Sequence, residues 1–158
     1  MAIATAQIFR TRYQNKLLTL TIDQSNKATD IFMQMLVPVM GTGDIPKAYH
    51  ILKKYLPNIL RAKCFNRDNY PFHIEVKNTE IGHLFEHILL QYLCDQKTSE
   101  GIKNAVHNGI TRWDWKRYGK GVFHINVDAG CKEKEILNIA LNKSINLINN
   151  IIVEAHIQ

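Results

Sequence analysis

Thr79-Glu80-Ile81-Gly82-His83-Leu84-Phe85-Glu86-His87-Ile88-Leu89-Leu90-Gln91 is the stretch that decides the fold. Ile81, Leu84, Phe85, Ile88 and Leu89, with Tyr92 and Leu93 beyond, recur at helical spacing and fill more than one stripe. The pattern predicts a largely buried helix that starts at residues 78–80 and runs to about Leu93. Strands are expected on either side of it. Leu18, Leu20 and Ile22 alternate with Thr19 and Thr21 over residues 16–23. Phe123, Ile125 and Val127 alternate with His124, Asn126 and Asp128 over residues 122–128.

Shorter apolar runs predict further strands at residues 3–9, 72–76 and 109–113, with residues 10–15 as the hairpin turn or its flanks. A helix is expected from Thr29 or Asp30 through Met40, ended early or kinked by Pro38. A second begins at Asp44, with Asp44 as cap and Pro46 in the first turn, and carries Ile45, Ala48, Leu52 and Leu56 inward. Residues 95–107 read as a loop with a short helix, and 132–153 as a long amphipathic helix. Loops fall at 41–43, 64–71 and 119–121. Intermixed strands and helices place the chain in the α+β class. Residues 1–158 read as a single domain, an antiparallel or mixed sheet covered by helices, with the His-x-x-Glu-His motif on a buried helix.

Composition narrows the classes. A chain of 158 residues with 46% hydrophobic residues can bury a core without staples. Three cysteines, far apart and without a Cys-x-x-Cys pair, argue against a disulfide framework or a zinc ribbon. No run of about 18 apolar residues and no signal-peptide pattern occurs, so a cytoplasmic protein without membrane partners is expected. The net charge of +6 comes from scattered lysines and arginines. Only residues 113–118 mix aromatic and basic side chains densely, so nucleic acid is disfavoured as a partner.

His83, Glu86 and His87 form His-x-x-Glu-His, the inverted zinc-hydrolase pattern. Two imidazoles four residues apart lie one above the other and can reach one metal. Glu86 can take a proton from an activated water. Gly82 leaves room beside His83 for another backbone or a ligand. A catalytic zinc takes three protein ligands, and the third must come from another element. Asp128, on the polar face of the late strand, is the first choice. Asp114, His107, His124, His73, Glu75 and Cys131 remain open. Arg112 is a candidate for holding a substrate carboxylate. The competing reading of each is structural: packed or surface histidines, a turn aspartate near Gly130, a solvated arginine.

The run 79–91, with Gly109-Ile110-Thr111-Arg112 and Gly121-Val122-Phe123-His124-Ile125-Asn126-Val127-Asp128, resembles the N-terminal domain of cyanophycin synthetases. The likeness is specific from Thr79 to Asp128 and loose upstream. It implies a metallopeptidase-like site that cuts an arginyl-aspartate polymer internally. His83 and His87 would then bind zinc and Glu86 would activate water. The family's strand has a glutamate where Asp128 stands, and its acidic residue after Thr-Arg is replaced by Trp113, with Asp114 one step later. The 158 residues hold no counterpart of the family's ATP-grasp and ligase-like domains, so polymer synthesis is not expected of them.

The expected function is zinc-dependent hydrolysis of peptide or amide bonds, with a cyanophycin-like or other aspartate-rich polymer as one substrate. The alternative is a non-catalytic binding or assembly module for such a polymer or a partner protein. A homo-oligomer remains open.

Overall fold

The computed structural model describes residues 7–64 and 69–156. Five strands make one antiparallel sheet in the order β1-β2-β3-β5-β4. The alternation seen in the sequence becomes β2 (Leu18–Gln24) and β5 (Val122–Val127), whose apolar residues face the core. β4 (Gly109–Arg112) lies where a strand was expected. The class is α+β, and the sheet is wholly antiparallel.

Three expectations fail, each for a physical reason. β1 (Phe9–Gln14) occupies the residues read as a turn, and the expected strand at 3–9 lies partly outside the described residues. β1 is an edge strand and almost entirely exposed, so it has no apolar alternation to read. The turn is tighter: Asn15 Oδ1 accepts from the N–H groups of Leu17 and Leu18 at 2.8 and 3.0 Å.

The helix expected from Thr29 is instead β3 (Thr29–Met35), paired on both sides. Thr29, Ile31, Met33 and Met35 point inward, while Asp30, Phe32 and Gln34 are exposed. Phe32 on the open face hides the period of two.

Residues 72–76, expected as a strand, hold the one-turn helix α2 (Phe72–Glu75). Phe72 and Val76, four residues apart, are buried, and Ile74 between them is 44% exposed. That is a helical contact pattern, too short to show a period.

α1 (Ala48–Tyr55) starts after a 3-10 turn at Thr42–Asp44, later than its expected cap at Asp44. α3 (Ile81–Ser99) is the motif helix, longer than expected because residues 95–99 continue it. α4 (Trp115–Tyr118) is capped by Asp114, which accepts from Arg117 N–H. α5 (Lys134–His156) packs along α3. Its length and apolar content would suit a membrane span, but half of its most apolar window is buried inside the fold.

α3 lies against β5 and β4. At Gly82 a side chain would not fit: a Cβ there would come within 2.4 Å of the Phe123 ring on β5. The space that Gly82 leaves is filled by that ring, not by a ligand. The other face of the sheet exposes Asp30, Phe32, Gln34 and Arg112.

Candidate metal centre

Helical spacing puts His83 and His87 on one face of α3, and their Nε2 atoms are 3.1 Å apart. Cys64, in the segment ahead of α2, brings its Sγ to 3.4 Å from His83 Nε2. These three side chains could hold a metal ion: their ligand atoms all lie within 4.8 Å of one another. The donor set can be tested against metal geometry. Two nitrogens on one tetrahedral zinc sit about 3.3 Å apart, and a sulfur and a nitrogen about 3.6 Å, from the usual zinc–ligand lengths. The His83–His87 and Cys64–His83 separations agree with these to within a few tenths of an ångström, and the third pair lies within 4.8 Å.

Two supports orient the imidazoles. His83 Nδ1 is 2.7 Å from Thr79 Oγ1, which lies at the foot of the same helix. With the proton on Nδ1 donated to Thr79, the Nε2 lone pair faces Cys64 and His87, as a metal ligand requires. Thr79 is in turn fixed: its N–H donates to Thr42 Oγ1 at 2.9 Å. The His87 ring stacks on Phe72, with centroids 4.2 Å apart and planes 22° from parallel. Burial lowers the pKa of both imidazoles, His87's to about 3, so both stay neutral and able to ligate near pH 7.

Glu86 is 5% exposed. Thr111 Oγ1 on β4 donates to its Oε2 at 2.5 Å. Burial pushes the carboxyl up to about 7, against the opposing pull of that hydrogen bond. A Cβ at Gly109 would stand 3.0 Å from Glu86 Oε1 and 2.9 Å from its Cγ. Gly109 therefore leaves room for the carboxylate against the strand. Cys64, His83, Glu86 and His87 share one cleft of about 640 Å³, walled on its far side by the β4 segment.

No protein-family model matches this chain, and no curated protein matches its sequence.

The other sequence candidates are elsewhere. Asp128 is not in the metal-capable group. Its Oδ1 lies 3.1 Å from His107 Nδ1 and accepts from Asn108 N–H at 2.9 Å. It ties the loop before β4 to the end of β5, as a turn aspartate would. His107 lines the cleft with its Nδ1 on Asp128 and its Nε2 buried without a hydrogen-bond partner, but it stands outside the metal-capable group. Arg112 is not brought to Glu86. Successive β-strand side chains point to opposite faces, so Thr111 reaches the cleft and Arg112 the open face. His124 is on that open face, between the rings of Phe32 and Tyr118. Asp114 caps α4, and Cys131 Sγ approaches Gln24 O at 3.8 Å. Glu75 lines the cleft without joining the cluster, and His73 is exposed on α2.

Sequence reasoning missed Cys64 as a candidate ligand. It precedes His83 by 19 residues, a spacing that matches no metal signature. Its one legible signal was a soft thiol donor upstream of two imidazoles.

Proposed function

We propose that this protein is a zinc-dependent hydrolase of peptide or amide bonds. The observation that carries the reading is the meeting of Cys64, His83 and His87 in one cleft with the buried carboxyl of Glu86. Sulfur and two imidazole nitrogens are a donor set that suits zinc and leaves a fourth position for water or substrate. Bound there, zinc would supply Lewis acidity, activating water and polarising the scissile carbonyl.

The chain's own residues account for the proton. Thr111 holds Oε2 of Glu86, so Oε1 is the atom left to accept a proton from the attacking water. In the metal-free protein burial raises this carboxyl to about 7; as a carboxylate beside the metal it would take the proton from water and return it to the leaving nitrogen. Glu86 and His87 are themselves buried at the floor of the cleft, where low local polarity strengthens these interactions.

The resemblance to cyanophycin synthetase N-terminal domains makes an arginyl-aspartate polymer the first substrate to try, with acidic peptides next. Metal content of tag-free protein is the first measurement. Zinc near one equivalent, with hydrolysis abolished in Glu86→Gln while zinc is retained, would support the reading. Absent zinc, with no change in stability when it is added, would favour a binding or assembly module.

A further inference from the structure

The cleft runs the length of an unpaired strand edge. Among the described residues β4 is last in the sheet and pairs with β5 alone. Asp128 N–H donates to Asn108 O at 3.0 Å, which marks residues 108 and 128 as a hydrogen-bonded pair. In an antiparallel ladder such pairs recur at every second residue. Ile110 and Arg112 therefore exchange their backbone bonds with Asn126 and His124. Gly109 and Thr111 turn their N–H and C=O groups away from the sheet, and no backbone hydrogen bond among the described residues satisfies them. The segment from Val106 through Thr111, and then Trp113, borders the same cleft as His83, Glu86 and His87. Thr111 is also the residue that holds Glu86.

We infer that this edge receives the substrate: an extended peptide main chain adds to β4 as a sixth strand, with its scissile bond beside Glu86. The inference rests on the hydrolase reading and deepens it by naming how the substrate is held. Recognition is by main-chain hydrogen bonds to Gly109 and Thr111, a mode that tolerates varied side chains. The added strand's own side chains alternate, every second one entering the metal cleft and the others lying toward the Arg112 side. Trp113 is 40% exposed and Val106 76%, so the edge offers apolar contact at both ends. The outward groups also explain why the strand is short: four residues present a small target for unwanted pairing.

The probe is a randomised library of acetylated, amidated hexapeptides offered to zinc-loaded Glu86→Gln protein, a variant meant to bind without cutting. The tightest retained peptide is resynthesised with one N-methyl group walked along it. The expected result is at least a tenfold loss of affinity at alternate positions only, with the Gly109 and Thr111 amides becoming protected from hydrogen exchange when the parent peptide binds. Uniform tolerance of N-methylation, losses without a period of two, or no retained peptide would overturn the inference. The two readings fail separately. A peptide that pairs with the edge but is never cut by the wild-type zinc form sinks the hydrolase reading alone. Cutting without the alternate-position pattern sinks the edge-strand inference alone.

Discussion

Thr111 Oγ1 donates to Glu86 Oε2 across the gap between the edge strand and the motif helix. This bond fixes which carboxylate oxygen is free and opposes the rise in its pKa caused by burial. Thr111→Val keeps the shape and removes the bond. The expected outcome is a Glu86 pKa above its present value of about 7. In the hydrolytic reaction the acid limb of the rate profile would move to higher pH, with little change in zinc content. Carboxyl titration by carbon NMR reads the shift directly, and an unmoved or lowered pKa would count against the assignment.

Cys64 contributes the sulfur of the metal-capable group. Cys64→Ala should weaken zinc binding by more than about 100-fold, since losing a ligand costs more than losing its supporting partner. Cobalt-loaded wild-type protein should show thiolate-to-metal charge-transfer absorption that the variant lacks. Asp128→Asn, by contrast, should leave zinc affinity within about threefold of wild type. Loss of zinc in that variant, with the fold intact, would return Asp128 to the ligand set.

That contrast shows what the sequence could and could not convey. His83, Glu86 and His87 were legible because one helix carries them, and helical spacing alone puts them on adjoining faces. Cys64 was not, because its place depends on where the segment before α2 crosses α3. β2 and β5 were legible because each buries one face. β1 and β3 were not, since β1 has no buried face and β3 exposes a phenylalanine. Arg112 lies on the open face and Thr111 in the cleft, because strand parity sends neighbours to opposite sides of a sheet, and periodicity over four residues is too short to show which is which.

Protonation couples the metal-free site to stability in two opposed ways. His83 and His87 are held neutral by burial, and His87's pKa falls to about 3. Unfolded, each takes up a proton near pH 6.5, so their contribution to stability is lost as pH falls below about 6.5, in the case of His87 down to about 3. Glu86 is raised from 4.5 to about 7, so its contribution is present below about pH 4.5 and lost as pH rises to about 7. Glu86→Gln should remove that second loss, which is worth up to about 3 kcal/mol. Thermal melts of metal-free wild type and variant across pH 4 to 8, a range of about four units, would show the gap widening with pH. Parallel curves would show that Glu86 does not titrate in this way.

Gly82 meets the Phe123 ring with no space for a side chain. Gly82→Ala should destabilise the fold by about 1–3 kcal/mol through overpacking, outweighing the gain of up to about 1 kcal/mol from better helix propensity. The double change with Phe123→Leu should recover part of the loss. Calorimetric melting of the four proteins in this cycle tests it, and purely additive losses would show that the two positions do not press on each other.

The closeness of Gly82 to Phe123 also limits how the site can change over evolutionary time. A one-residue slide of α3 along its axis would carry Ile81 or His83 onto the ring, and neither fits where a single carbon does not. The helix therefore has one permitted station against β5, and that station sets where His83 and His87 stand relative to Cys64. Ligand placement and sheet packing are a single degree of freedom in this chain. Of the three donors Cys64 alone stands off α3, so only its placement is not tied to this packing.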